Sequence, residues 1–115
     1  VQAKVLRDWA KKHKIRLFDI GDNGICHVIA PERGYITPGI TLCCGDSHTG
    51  TNGAFGSFSL GIGTTAQAGA MLAGCLILNK PKTFNIKVTG KLKPYVYAKD
   101  VILAIIGKIT FKGGT

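Results

Sequence analysis

The stretch that decides the expected fold is ITLCCGDSHTGTNGAFGSFSLGIGTT, residues 40–65. Its apolar and β-branched start predicts a buried strand over residues 40–44. That strand runs directly into Asp46, Ser47 and His48, and five glycines follow between residues 50 and 63. Glycines at this density allow close backbone approach and positive φ angles. We therefore expect either a tightly packed helix and turn or a loop that wraps a ligand.

Helical periodicity marks three further segments. Residues 2–13 place Val5 and Trp9 on one apolar stripe, the pattern of a helix that lies on a sheet. A second helix is predicted over residues 64–79, because Thr64 or Thr65 can cap its start. A third is predicted over residues 98–106.

Strand patterns are found on both sides of the central stretch. Strands are predicted over residues 15–20, over residues 25–30, which carry His27, and over residues 83–92, where apolar and polar side chains alternate. A change of composition at residues 79–82 predicts a joint. The alternation of helices and strands favours a layered α/β fold.

Composition and charge limit the classes of protein. The chain has 115 residues and a formal charge of +9, with Lys and Arg confined to residues 4–16, 33 and 80–112. No apolar run approaches the roughly 18 residues of a membrane helix. The basic flanks leave an RNA-binding role as an alternative, because polyanions are attracted by such charge. The abrupt ends predict a piece of a longer protein.

The four cysteines do not follow the spacing of a zinc site or an iron–sulfur ligand run. We expect Cys26, Cys43, Cys44 and Cys75 to be reduced, buried thiols of an intracellular protein. A redox or metal role is the alternative.

Asp46, Ser47 and His48 are the candidate functional residues, because ligands of open α/β sheets collect where strands end. His27, on a predicted neighbouring strand, is placed to point at the same cleft. Two imidazoles and a carboxylate suit proton transfer to or from a hydroxyl group, while Ser47 hydrogen-bonds a substrate oxygen. The alternatives are that Asp46 and Ser47 only form a turn or helix cap, and that His27 is a core histidine.

Three stretches together resemble one family. GDNGICHVIAPERGYITPG (residues 21–39), GDSHTGTNGAFGSFSLGIGTT (residues 45–65) and VTGKLKPYVYAKDVILAIIGKITFKGGT (residues 88–115) are similar to the large chain of the aconitase and isopropylmalate dehydratase family. The order is unbroken and covers nearly the whole sequence. The similarity is greatest to the isopropylmalate dehydratase and homoaconitase branch.

The resemblance implies a hydro-lyase that isomerises a hydroxy di- or tricarboxylic acid by dehydration and rehydration. It implies a 4Fe-4S cluster as Lewis acid, a small-subunit partner chain, leucine biosynthesis and a cytoplasmic location. No membrane partner is expected, and a nucleic-acid partner is not favoured, although RNA binding stays an alternative because some aconitase relatives bind RNA. The implied fold is a partial three-layer α/β/α domain over residues 1–80, with the start of a following α/β segment at residues 81–115. Homoaconitase or aconitase activity, and an inactive divergent relative, are the alternatives.

Carried over by motif, Asp46, Ser47 and His48 match the family's substrate-site residues, and His27 matches the active-site histidine before them. His27, Asp46 and His48 are the implied catalytic residues. The cysteines that hold the family's cluster come from a later part of the chain and are not matched here, so none of the four cysteines is assigned as a ligand. The serine that acts as base and the carboxylate-binding arginines also lie elsewhere, and the 115 residues alone are expected to be inactive.

Two positions depart from the family pattern. Ala66 stands where an acidic residue is usual, and Cys44 stands where glycine is common. A divergent subfamily with altered substrate or lost activity is one interpretation of the missing acid.

Overall fold

The computed structural model of the chain describes residues 1–110. It divides into two compact units, Val1–Leu76 and Ile77–Thr115. Residues 111–115, the end of the predicted second segment, lie outside the described residues. None of the described helices is both long and apolar enough to cross a bilayer.

The first unit carries most of the regular structure. Its elements in chain order are α1 (Gln2–His13), α2 (Cys26–Glu32), β1 (Thr41–Cys44), the short 3-10 helix η1 (Thr49–Phe55), β2 (Phe58–Gly61) and α3 (Thr64–Ala73). The predicted helix over residues 2–13 and the predicted strand over residues 40–44 are confirmed. Helix α3 ends at residue 73 instead of 79, because Gly74 takes a left-handed conformation with φ of 67° that terminates it.

Strands β1 and β2 form a parallel two-stranded sheet, with Thr41 opposite Phe58 and Cys44 opposite Gly61. Parallel strands need a crossover between them. Residues 45–57 supply it, and η1 packs against both strands and against α2. The glycine-rich stretch is therefore a packed 3-10 helix, a turn and a strand.

Two strand predictions in this unit are wrong. Residues 15–20 have no ladder partner among the described residues; instead Arg7 forms a two-bond ion pair with Asp19, which also accepts the Ile20 N–H. Residues 25–30 are the start of α2, because the Val28 and Ile29 N–H groups donate to the Ile25 carbonyl in a helical pattern. A short apolar run has no periodicity that separates helix from strand.

The apolar stripe of α1 does not lie on a sheet as predicted. Val5 and Trp9 are each about half exposed, at 56% and 53%. Ala10 and Ile36 are the buried hydrophobic residues of the described chain, whereas Thr49, Asn52 and Ser57 are its buried polar residues. The best-buried part of this unit is thus the polar cluster around η1.

The second unit contains one helix among its described residues, α4 (Ala98–Ile109). The predicted helix over residues 98–106 is confirmed and extends three residues further. Asp100 accepts the Tyr97 N–H at 2.8 Å and so caps the helix start. The predicted strand over residues 83–92 is wrong, because none of the other described residues pairs with it. The mixed helices and strands are consistent with an α/β class.

Candidate active site

The Asp46 loop joins the end of β1 to the start of η1. Thr49, which is fully buried, donates its side-chain hydroxyl to the Asp46 carbonyl at 2.5 Å. The Asp46 carboxylate oxygen Oδ1 accepts the His48 backbone N–H at 2.7 Å. Asp46 therefore forms the local turn that its residue type favours. The same carboxylate also faces side chains from outside the loop.

Both imidazoles of the predicted site contact one oxygen atom. His27 Nε2 lies 3.1 Å from Asp46 Oδ1, and His48 Nδ1 lies 3.2 Å from the same atom. The His27 side chain is only 12% exposed, whereas that of His48 is 84% exposed. His27 reaches Asp46 from the first turn of α2 and not from a strand, which corrects the predicted element. The structure thus brings together residues 27, 46 and 48.

The hydrogen bonds at Asp46 favour its ionised form. The His27 bond is the largest influence, followed by the His48 backbone N–H, and together they lower the pKa of Asp46 below its ordinary value of 3.8. Partial desolvation acts in the opposite direction and is weaker. Asp46 is therefore a carboxylate at neutral pH, ready to orient an imidazole.

Ser47 lies on the open side of the loop. Its Oγ is 3.4 Å from His48 Nδ1, and its side chain is exposed. That distance is long for a hydrogen bond to an imidazole that would activate a nucleophile. The hydroxyl is placed beside His48, where it can meet an oxygen of a bound molecule.

Gly61 fixes the loop against the end of β2. A Cβ atom at this position would lie 2.6 Å from the Asp46 carbonyl oxygen and 3.2 Å from Ser47 Cα. Real Cβ atoms essentially never come within 3.0 Å of another atom, so the contact with the Asp46 carbonyl oxygen cannot form unless the backbone shifts. Glycine is thus needed here for close backbone approach, and the backbone of Asp46 and Ser47 rests directly on β2.

Sequence reasoning missed Asn52, which is 0% exposed. Its Nδ2 lies 3.1 Å from His27 Nδ1 and 3.1 Å from the Thr49 carbonyl oxygen. The signal in the sequence was an amide side chain among glycines, four residues after His48, in a segment already expected to pack tightly. Nothing in the sequence alone pairs it with His27.

One group of side chains could approach a cation. Ligand atoms of Cys26, His27 and Asp46 lie within 4.8 Å of one another. An iron–sulfur cluster is held by several cysteine thiolates, and this group contains a single cysteine. Within the described residues, the arrangement therefore does not fit the ligation of a 4Fe-4S cluster.

The cysteines differ from expectation in their burial. All four are free, but Cys26 and Cys75 are exposed and Cys43 and Cys44 are half-buried, so the expectation of buried thiols is wrong. Cys26 lies at the start of α2, beside the site. Local desolvation is the largest cause that raises the pKa of its thiol, and the neighbouring Cys44 and Asp46 side chains act in the same direction. This environment disfavours a reactive thiolate.

The whole chain is similar to known proteins of one family. The model of the aconitase family (aconitate hydratase) matches residues 1–115. Curated relatives called "3-isopropylmalate dehydratase large subunit" include those of Geotalea uraniireducens, 52% identical over 99% of this chain, and Geobacter sulfurreducens, 53% identical over 99%. A relative of the same name from a Synechocystis species is 55% identical over 90% of this chain.

The chain spans 27% of the length of the first two of these relatives and 23% of the third. The family match nevertheless extends from the first residue to the last. With relatives at about half identity, this match means that the chain belongs to the aconitase family.

Proposed function

We propose that this chain is part of the large subunit of a hydro-lyase of the 3-isopropylmalate dehydratase type. One observation carries the proposal: His27 and His48 both contact Oδ1 of Asp46, at 3.1 and 3.2 Å. A carboxylate that holds two imidazoles beside an exposed hydroxyl suits proton transfer at a hydroxy acid. The names of the relatives support the same reaction class.

His48 and Ser47 are the groups that face the substrate in this proposal. His48 is exposed and is oriented by Asp46, so it can give a proton to the departing hydroxyl group as the C–O bond breaks. The hydroxyl then leaves as water. In the rehydration step the hydroxyl group of a water molecule bonds to the neighbouring carbon, the water gives up its other proton to His48, and the base returns a proton to the carbon that first carried the hydroxyl group. The base that removes the carbon-bound proton lies outside these 115 residues.

Asp46 and His27 support that transfer. The carboxylate of Asp46 orients the His48 imidazole, whose Nδ1 lies 3.2 Å from Asp46 Oδ1. His27, from the partly buried side, keeps Asp46 in place through its Nε2 contact. Ser47 offers a hydroxyl to a carboxylate or hydroxyl oxygen of the substrate.

The proposal extends to the protein around this chain. A 4Fe-4S cluster would be held by cysteines of the longer polypeptide, and a small-subunit partner would complete the site, as the words "large subunit" in the relatives' names suggest. The fold would be a three-layer α/β/α domain carrying the Asp46 loop within residues 1–80, followed by a second α/β segment. The enzyme would act on a hydroxy di- or tricarboxylate in the cytoplasm.

Substitution at Asp46 and His48 tests the proposal. The full-length protein that carries this chain, assembled with its small subunit, is assayed with 3-isopropylmalate by the ultraviolet absorbance of the unsaturated acid that dehydration forms. Asp46→Asn and His48→Gln should each lower kcat by about 100-fold or more, the usual contribution of a proton-transfer group.

His13→Gln is the matched control, because His13 is exposed at the end of α1, stacks on Trp9 and forms no hydrogen bond with the Asp46 loop among the described residues. It should leave kcat within about twofold, as surface substitutions far from a site usually do. Unchanged turnover in Asp46→Asn, or no turnover of any hydroxy acid by the unsubstituted assembly, would contradict the proposed function.

A further inference from the structure

A buried amide contacts the imidazole of His27 on the side away from Asp46. Asn52 lies in η1, is fully buried, and places its Nδ2 between two partners, His27 Nδ1 and the Thr49 carbonyl oxygen, each at 3.1 Å. Its Oδ1 is buried without a hydrogen-bond partner among the described residues. A buried amide with one unpaired oxygen is costly, so its orientation needs a physical reason.

The Thr49 carbonyl supplies that reason. A backbone carbonyl oxygen can only accept a hydrogen bond, so the atom of Asn52 that faces it must be the amide nitrogen. The reversed amide would place two oxygen atoms 3.1 Å apart in a buried environment. The fixed Thr49 carbonyl, itself part of the Asp46 turn, therefore sets which end of the Asn52 amide reaches His27.

The orientation of Asn52 and the carboxylate of Asp46 require the same tautomer of His27. Because Nδ2 donates to Nδ1, that ring nitrogen must be an acceptor without a proton. A neutral imidazole has one donor and one acceptor nitrogen. Nε2 then carries the proton and donates it to Asp46 Oδ1 at 3.1 Å. Each donor thus faces an acceptor in the chain of hydrogen bonds that runs from the Thr49 carbonyl through Asn52 and His27 to the Asp46 carboxylate.

We propose that Asn52 is a positioning residue that keeps Nδ1 of His27 unprotonated and so, opposite the acceptor-only Asp46 carboxylate, holds His27 as the neutral Nε2–H tautomer with its one donor committed to Asp46. The consequence of this tautomer for catalysis rests on the proposed function. The tautomer gives His27 and His48 different roles. His27 has no free lone pair toward Asp46 and serves to hold the carboxylate. His48 is exposed and contacts Asp46 through Nδ1, which leaves Nε2 as the ring nitrogen that can exchange a proton with a substrate.

The same tautomer bears on the Cys26, His27 and Asp46 group. A metal ion binds the unprotonated nitrogen of a neutral imidazole, and the nitrogen of His27 that faces Asp46 holds the proton. The three side chains thus make a hydrogen-bonded arrangement in preference to a preformed cation site.

Nitrogen NMR of histidine tests the proposal directly. The full-length protein that carries this chain is labelled with ¹⁵N-histidine and examined without its cluster by magic-angle-spinning NMR. The His27 signals are assigned by their loss in His27→Leu. We expect a pyridine-type signal for Nδ1 and a pyrrole-type signal for Nε2, and their reversal in the unsubstituted protein would overturn the proposal.

Two substitutions at Asn52 reverse or remove the restraint. In Asn52→Asp both ring nitrogens of His27 face a carboxylate that can only accept, so Nδ1 should change from a pyridine-type nitrogen to a protonated one while Nε2 keeps its proton. In Asn52→Leu the Asp46 carboxylate still selects the Nε2–H tautomer, but Nδ1 loses its hydrogen-bond donor, so its pyridine-type signal should move downfield toward that of a nitrogen without a hydrogen bond. This variant keeps the test decisive if the buried carboxylate of Asn52→Asp prevents folding. A His27 spectrum unchanged in every folded Asn52 variant would overturn the proposal.

Ser57→Ala is the matched control. Ser57 is buried in the same cluster and donates to the Asn52 backbone carbonyl at 2.7 Å, but it forms no hydrogen bond with His27 among the described residues. It should lower stability without changing the His27 signals, and a tautomer change in Ser57→Ala would count against a specific role of the Asn52 amide. None of these NMR measurements needs turnover. If His27 shows the expected tautomer in an assembly that turns over no hydroxy acid, the proposed function is contradicted and the tautomer proposal is not.

Discussion

Gly61→Ala tests whether the position of the Asp46 loop depends on contact with β2. The added Cβ would lie 2.6 Å from the Asp46 carbonyl oxygen, where ordinary contact begins at 3.4 Å. Two backbone segments meet here, so no flexible side chain can move aside. The loop must shift by roughly 0.8 Å, a displacement of the size that lowers catalysis by about 100-fold when it moves a catalytic group.

The shift acts on the groups that define the site. The Asp46 carbonyl accepts the Thr49 hydroxyl at 2.5 Å, and the carboxylate of the same residue holds both imidazoles. We therefore expect Gly61→Ala to lower kcat/KM by about 100-fold and to lower the free energy of unfolding by about 1–3 kcal/mol, the usual cost of overpacking.

The assay compares Gly61→Ala with Gly53→Ala in the full-length assembly. A Cβ at Gly53 meets nothing within 4 Å, and its φ is not positive, so this variant should retain activity and stability. Turnover is measured with the hydroxy acid, and unfolding with a chemical denaturant. The reasoning is refuted if Gly61→Ala is as active as Gly53→Ala.

Three further predictions concern the surrounding structure. Gly69 lies inside α3 with open space around its Cα, so Gly69→Ala should raise the free energy of unfolding by about 0.5–1 kcal/mol in denaturant titrations, and a decrease would mean that α3 is not helical in solution. Asp100→Ala removes the acceptor of the Tyr97 N–H and should cost about 1 kcal/mol, whereas Lys99→Ala in the same turn should be near neutral; equal effects in the same titrations would contradict the cap. The hydrogen bonds from Arg7, then the Ile20 N–H, lower the pKa of Asp19 from 3.8 to about 2. The stability from this pair is thus complete above pH 3.8 and is lost as the pH falls through about 2. Arg7→Gln should return the titration of the Asp19 carboxyl carbon, followed by NMR, toward 3.8, and an unchanged titration would exclude the pair.

Local sequence signals predicted those elements whose formation depends on local interactions. Helix α1 has a continuous amphipathic pattern, and β1 is a short apolar run that ends at a glycine, so both could be predicted. The strands expected over residues 15–20 and 83–92 required partners that no local pattern supplies. The strand prediction over residues 25–30 was wrong for a different reason, because a six-residue apolar run fits the start of a helix as well as a strand.

Part of the candidate site could be predicted from the sequence for the same reason. Asp46, Ser47 and His48 are adjacent in sequence, and chemistry-bearing residues after a strand are a recognisable pattern. The contact of His27 with Asp46 spans 19 residues and depends on the packing of α2 against η1. Asn52 and Gly61 act through buried contacts with backbone groups, so their roles became visible only in three dimensions.

A double-mutant cycle on His27 and Asp46 is the most direct test that the two side chains work as one unit at the site. kcat is measured for His27→Leu, Asp46→Asn and the double variant in the full-length assembly. If the imidazole acts through the carboxylate, the double variant should be no more than about twofold slower than Asp46→Asn alone. Losses that multiply in the double variant would mean that the two residues act independently.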